Sequence, residues 1–127
     1  MPRAEDGFRR LTLGDPGFIA MVTGAEGSSS DISHLDARTT ALVRIAALVA
    51  LDAPPSSYRT AVEAADRAGA RLEDLLAILF AVGDTVGSAR LVSAAPRIAL
   101  AAGYDVEADL AYLDIVEQRT DGLSARG

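Results

Sequence analysis

The side chains of this sequence that could carry out chemistry in an apolar setting are His34, Arg44, Tyr58, Arg59 and Asp84. His34 is the only histidine. The ordinary pKa of imidazole lies near neutrality, so this side chain could act as a general acid or base at a subunit interface. The structural alternative is an exposed loop or capping residue just before the first main helix.

Arg44 is the only polar residue in the run from Ala41 to Leu51. A charge in such a setting costs free energy unless it is paired. Two interpretations follow. Arg44 forms an ion pair, with Asp84 or Glu63 as the partner, or it binds a substrate carboxylate, whose geometry matches the planar guanidinium.

Tyr58 and Arg59 stand at the predicted start of the second main helix. Tyr58 could donate a proton or hydrogen bond in an apolar pocket, or it packs with its hydroxyl at the rim. Arg59 beside it is a candidate for substrate binding. Asp84 interrupts an apolar segment; a buried carboxylate there would have a raised pKa and could act as a base. Otherwise Asp84 caps the helix that follows Gly83.

Length and composition predict a small all-α domain. The chain has 127 residues, half of them hydrophobic but only 5% aromatic, and it is rich in alanine, the best helix former. A net charge of −6 with dispersed arginines argues against nucleic-acid binding. Cysteine is absent and there is one histidine, so no disulfide, metal site or cysteine nucleophile is expected. No phosphate-binding loop or GxGxxG motif occurs, and no cofactor is predicted.

Three segments are expected along the chain. Residues 1–34 form an arm, a short helix that begins at Asp15-Pro16, and a flexible loop; residues 35–118 form the helical domain; and residues 119–127 form a disordered tail. Five helices are predicted in the domain. They run from Asp36 to Leu51, from Ser56 or Ser57 to Ala68, from Leu72 to a bend at 83–87, from Leu91 to Ala102 with a kink or break at Pro96, and from Asp105 to Gln118.

Two of these helices, around Ala41–Leu51 and Leu72–Val82, are apolar on nearly every side. A helix of that kind must be covered all round, and one small subunit provides too little cover, so we expect a homo-oligomer. The start of the chain lacks a signal-peptide core, and the apolar runs are too short to span a membrane. A cytoplasmic protein is expected. Arginine without lysine or asparagine suggests a GC-rich bacterial genome.

An ordered set of segments lies between Leu35 and Gly103. It begins with LDART at 35–39, continues through an Ala/Leu/Val-rich helix and a proline elbow, and reaches RAGA at 67–70 and LEDLL at 72–76. This order resembles the carboxymuconolactone decarboxylase family, which includes the AhpD-like alkylhydroperoxidases. The resemblance implies an orthogonal bundle of about six helices, assembled as trimers or hexamers.

The resemblance also implies which positions carry the family's redox chemistry. AhpD-like members use Cys-x-x-Cys, a histidine four residues later and a glutamate on the preceding helix. These groups correspond here to Pro54, Ser57, Ala61 and Ala41, and each has lost its reactive group. True decarboxylases of the family lack the cysteine pair but keep the histidine, which this chain also lacks. The chain is therefore similar to a divergent, cysteine-free member.

Two functions remain open. The first is non-redox, cofactor-free acid–base chemistry on a small organic molecule, namely decarboxylation, lactone or ring chemistry. In it Arg44 and Arg59 bind substrate, Tyr58 or Asp84 transfers protons, and His34 is an outside candidate. The second is a non-catalytic, ligand-binding or structural subunit. Peroxide reduction requires a thiolate and is not expected.

Overall fold

The computed structural model describes residues 3–24, 34–104 and 113–119, and these ranges contain helices and no strand. The helices are α1 Ala4–Leu13, α2 Pro16–Val22, α3 Ala37–Leu51, α4 Pro55–Arg67, α5 Leu72–Val86 and α6 Ser88–Ala101. Residues 113–119 are also helical. The all-α class is confirmed. The chain divides into two compact units, residues 1–40 and 41–127.

The first unit contains a helix that the sequence analysis missed. Residues 4–13 were predicted as an arm, but they form α1. Asp6 forms salt bridges with Arg9 and Arg10 one turn further along, and such pairs support a helix without any buried side chain. Gly14, at φ +67°, ends it. The Arg10 guanidinium also lies over the Phe18 ring of α2, 5.7 Å from its centroid, so charge pairing and contact with α2 both support α1.

The predicted helix starts at Asp15 and Asp36 are confirmed. The Asp15 carboxylate accepts a hydrogen bond from the Phe18 amide at 3.0 Å, and the Asp36 carboxylate accepts one from the Thr39 amide at 2.7 Å. Each satisfies an amide that has no partner within its own helix. The predicted loop after Gly24 lies, from residue 25 on, outside the described residues.

The second main helix begins earlier than predicted. Pro55, and not a serine, is the first residue of α4, after Pro54 in an extended conformation. Proline is suited to this position because the first helical amide needs no intrahelical partner. Gly69 and Gly103, at φ +91° each, follow the ends of α4 and α6 as expected.

The predicted bend at 83–87 is shorter in the structure. α5 continues through Gly83 to Val86, and Gly87 alone, at φ +85°, connects it to α6. A Cβ atom on Gly83 would lie 3.3 Å from a Leu91 side-chain carbon, so glycine lets α5 and α6 approach closely there. Of the two alternatives at Pro96, a break is excluded, because α6 runs through this residue to Ala101, and a kink stays a prediction.

One buried cluster joins the four helices of the second unit. It consists of Ala41, Ile45 and Val49 of α3, Ala53, Tyr58, Val62 and Ala65 at the elbow and on α4, Leu75, Ile78 and Leu79 of α5, and Ala94 and Ile98 of α6. Each helix thus contributes one face to the core, and α6 packs against both α4 and α5. Within the described ranges, no helix is long and apolar enough to cross a membrane.

Candidate functional site

A groove runs between α3 and α4, and we call it the α3–α4 groove. Its volume is about 590 Å³. Its lining residues are Ala41, Arg44, Ala47, Leu48, Ser57, Thr60, Ala61 and Ala64. The surface is mostly apolar, with one guanidinium and two hydroxyls as its polar side-chain groups. This composition suits a small apolar molecule that carries one anionic group.

The α3–α4 groove contains most of the positions to which the resemblance assigns reactive groups. Ala41 stands where the glutamate is expected, Ser57 where the second cysteine is expected, and Ala61 where the histidine is expected, and all three line the groove. Pro54, at the first cysteine position, is exposed at the elbow. Three of the four positions to which the resemblance assigns reactive groups thus line one groove, and they carry two methyl groups and a hydroxyl group there.

Arg44 is the cationic residue of the α3–α4 groove. Its side chain is exposed on α3 and shares the lining with Ser57 and Thr60 of α4. A guanidinium has five N–H donors in a planar arrangement, so it can hold a carboxylate in addition to a contact within the protein. The prediction that Arg44 binds a substrate carboxylate therefore has a suitable location.

The elbow between α3 and α4 carries a polar cluster, which we call the elbow cluster: Asp52, Ala53, Ser93 and Arg97. The Asp52 carboxylate accepts a hydrogen bond from the Ser93 hydroxyl at 2.8 Å and from Arg97 Nη1 at 3.5 Å. The same Nη1 donates to the Ala53 carbonyl at 2.7 Å. Asp52 itself has a left-handed backbone, with φ +51°. The cluster ties the middle of α6 to the elbow.

Tyr58 lies beside this cluster and is fully buried. The hydroxyl oxygen is itself buried and has no hydrogen-bond partner among the described residues. Because it is shielded from solvent, the alternative that placed the hydroxyl at the rim is wrong. Burial raises the pKa of the Tyr58 phenol, with the Asp52 carboxylate acting in the same direction and the Arg97 guanidinium opposing it. Tyr58 is therefore a buried hydroxyl whose donor has no partner among the described residues.

Arg59 lies on another side of α4, where α4 faces α6. A second groove, the α4–α6 groove, has a volume of about 670 Å³. Its lining residues are Pro55, Arg59, Val92, Ser93, Pro96, Arg97, Leu100 and Ala101. Arg59 and Arg44 are thus found in different grooves, although the sequence suggested that both bind one substrate.

Asp84 does not have the environment that either interpretation of the sequence required. It is exposed near the end of α5, so it is not a buried carboxylate. It also does not cap the next helix, because α5 continues to Val86 and Gly87 precedes α6. Asp84 lines neither the α3–α4 nor the α4–α6 groove, and its proposed role in proton transfer stays a prediction.

His34 is exposed and precedes α3 in the first unit, which fits its interpretation as a loop residue; a role at a subunit interface stays a prediction. In the part of the chain that the structure describes, no group of three or more His, Cys, Asp or Glu side chains could hold a metal ion. Two of the candidate residues are thus in different places: Arg44 lines the α3–α4 groove, and Tyr58 lies beside the elbow cluster.

The polar cluster of Asp52, Ser93 and Arg97 was not predicted from the sequence. Asp52 lies in the proline elbow, and its partners follow 41 and 45 residues later in the chain. One local signal was present, because Ser93 and Arg97 are four residues apart and share a face of α6. The pairing with Asp52 depends on tertiary packing and had no local signature.

Comparison with known proteins gives one informative result. The model of the family described as "Carboxymuconolactone decarboxylase family" matches residues 16–101. No curated protein and no solved structure shows a significant match. The matched range is well over half of the chain and extends from α2 to the end of α6. It confirms the resemblance stated from the segments between Leu35 and Gly103.

Proposed function

We propose that this chain, which belongs to the carboxymuconolactone decarboxylase family, binds a small, mostly apolar organic acid in the α3–α4 groove. The proposed function uses no thiol chemistry at this site. One observation carries the proposal. Arg44 lines the same groove as Ala41, Ser57 and Ala61, the positions to which the family resemblance assigns reactive groups. Arg44, the candidate for binding a carboxylate, therefore lies beside the positions that the resemblance associates with chemistry, and this supports the proposal.

The lining of the groove supports binding more directly than catalysis. Ser57, Thr60 and Arg44 can orient a carboxylate through hydrogen bonds, and the alanine methyl groups with Leu48 provide apolar contact for the remainder of the molecule. The side chains that line this groove include no group with an ordinary pKa near neutrality. A ligand-binding member of the family is thus the function that the geometry favours.

A second candidate is cofactor-free acid–base chemistry, namely decarboxylation or lactone or ring chemistry on a small organic acid. The specific observation in its favour is Tyr58, a buried phenol without a partner among the described residues, on the same helix as Ser57. A phenol is protonated at neutral pH and can donate a hydrogen bond to the developing charge of a substrate that reaches it, although burial raises the pKa of Tyr58 and makes full proton transfer harder. Thiol-dependent peroxide reduction is not proposed, since the chain contains no cysteine.

The binding proposal predicts that benzoate binds in the α3–α4 groove and that Arg44→Gln weakens this binding. In a ¹H–¹⁵N NMR titration we expect benzoate to shift the amide signals of Thr60 and Ala64 saturably. Loss of a charged hydrogen-bond donor should raise Kd by about tenfold or more, which corresponds to about 1.4 kcal/mol. Arg67→Gln, which removes an exposed arginine of the neighbouring helix α4 from outside the groove, should leave Kd unchanged.

Two results would contradict this proposal. In one, benzamide, which has the same ring without the charge, binds as tightly as benzoate, so that the guanidinium contributes nothing. In the other, the amide signals of the α3–α4 groove do not move at millimolar benzoate while the protein remains folded.

A further inference from the structure

We infer that the α4–α6 groove is a second ligand site, which binds an amphiphilic carboxylate with Arg59 and Arg97 at its head group. This inference goes beyond the proposed function, because the groove is lined by different residues and contains none of the positions that the family resemblance assigns. It rests on the charge balance of the groove, on the hydrogen-bond capacity of its two arginines, and on the apolar surface beside them.

The charge balance leaves one positive charge unmatched. Two guanidinium groups, of Arg59 and Arg97, line the groove. Among the described residues the one carboxylate that contacts either of them is Asp52, which lies 3.5 Å from Arg97 Nη1. Arg59 is exposed and has no hydrogen bond or ion pair with a described residue. A ligand with a single negative charge would complete this balance.

Arg97 is anchored by a hydrogen bond and has further N–H groups that can bind a ligand. Its Nη1 donates to the Ala53 carbonyl at 2.7 Å, and the side chain is about one-third exposed. The Nε and Nη2 groups donate to no described residue. An arginine that is already anchored loses little conformational entropy when it binds a carboxylate, and its remaining edge suits two parallel hydrogen bonds.

The rest of the groove is apolar and accessible. Val92 and Leu100 of α6 are 73% and 63% exposed, and Pro55 and Pro96 contribute ring carbons to the same lining. Burying aliphatic surface of this kind against a hydrocarbon chain is favourable, at roughly 25 cal/mol per Å². The combination of two arginines with an aliphatic wall selects a carboxylate that carries an alkyl chain over a fully polar anion.

The test is an NMR titration of the full chain with octanoate, at concentrations below micelle formation, followed through the amide signals of Ser93 and Ala101. We expect these signals to shift saturably. Arg59→Gln should raise Kd by about tenfold or more, as expected for loss of a charged hydrogen-bond donor. The matched control is Arg67→Gln, which removes an exposed arginine from α4 outside the groove and should change Kd less than about twofold.

Octanol, butyrate and inorganic phosphate separate the contributions of charge and chain. Weaker binding of all three than of octanoate supports the inference. Equal binding of octanol would overturn it, because the arginines would then have no role. Equal binding of phosphate would overturn the assignment to an amphiphile. Octanoate shifts confined to Thr60 and Ala64 would place this ligand in the α3–α4 groove, and would overturn the second site while leaving the proposed function intact.

Discussion

At the scale of single residues, Tyr58 is the most unusual side chain in the structure. Its ring fills the core among α3, α4 and α6, while its hydroxyl has no partner among the described residues. A buried hydroxyl without a hydrogen bond costs about 1–3 kcal/mol. Phenylalanine would fill the same volume without this cost. The residue is therefore poorly explained by stability alone.

This reasoning predicts that Tyr58→Phe stabilises the protein or leaves its stability unchanged. We expect the free energy of unfolding to rise by up to about 3 kcal/mol, since the ring packing is kept and the unpaired hydroxyl is removed. Urea denaturation followed by circular dichroism measures the change. If Tyr58 is a proton donor, the same variant loses any turnover of a lactone or carboxylate substrate although it is more stable, as is common for residues kept for function.

A loss of more than about 1 kcal/mol in Tyr58→Phe would contradict this reasoning, because it would reveal a hydrogen bond to the hydroxyl. Tyr104→Phe is the matched control, since Tyr104 is exposed near the end of α6. It tests whether loss of a phenolic hydroxyl from the surface has any effect of its own.

At the scale of elements, the elbow between α3 and α4 fixes the relation of three helices. Asp52 adopts φ +51°, a left-handed conformation that asparagine, aspartate and glycine tolerate best. The Asp52 amide donates to the Val49 carbonyl at 3.2 Å and the Ala53 amide to the Leu48 carbonyl at 3.0 Å. Two of the last four carbonyl groups of α3 thus have hydrogen-bond partners at the elbow. Its side chain then reaches Ser93 and Arg97 on α6.

The two roles of Asp52 predict an order of stabilities. Asp52→Asn should be close to the natural protein, because asparagine tolerates the backbone and keeps an acceptor for Ser93. Asp52→Gly keeps the backbone but loses the side-chain contacts. Asp52→Ala loses both, and we expect it to be destabilised by about 1–2 kcal/mol. Urea denaturation of the three variants measures the order, and an alanine variant at least as stable as the glycine variant would show that the backbone at Asp52 is not strained.

Local rules predicted most helix positions but not all boundaries. The capping residues Asp15 and Asp36 were correct, because an N-cap interaction depends on residues within one turn. The bend predicted at 83–87 was too long and is confined to Gly87, because Gly83 stays helical and makes a close contact with Leu91, which lies on another helix. A glycine can mark a bend of the chain or allow two helices to approach closely, and tertiary packing decides which of the two applies.

At the scale of the whole molecule, the family could be read from the sequence but the site could be read only in part. The sequence indicated Arg44 as a candidate for substrate binding but did not relate it to Ala41, Ser57 and Ala61, with which it lines one groove between α3 and α4. The α4–α6 groove was not foreseen. Arg59 and Arg97 are 38 positions apart, and only the packing of α6 on α4 brings them to one lining.

The exposed apolar surface of α5 supports the expectation of self-association. Leu72, Leu76 and Phe80, spaced four residues apart along one side of the helix, are 51%, 50% and 77% exposed. We call this set the α5 stripe. Next to it, residues of α5 and α6 line an apolar groove of about 420 Å³. A contiguous apolar surface of this kind favours an interface with another subunit, so we expect a second copy of this chain to cover the stripe.

This expectation predicts that the protein sediments as a homo-oligomer and that Phe80→Glu shifts it toward the monomer. A buried, unpaired carboxylate in the interface should weaken association by about tenfold or more. Ala81→Glu is the matched control, because Ala81 is the next exposed residue of α5 and points away from the stripe by about a quarter turn. Sedimentation velocity at micromolar concentrations measures both variants. A natural protein that remains monomeric there, or two glutamate variants that dissociate equally, would mean that the α5 stripe is not the interface.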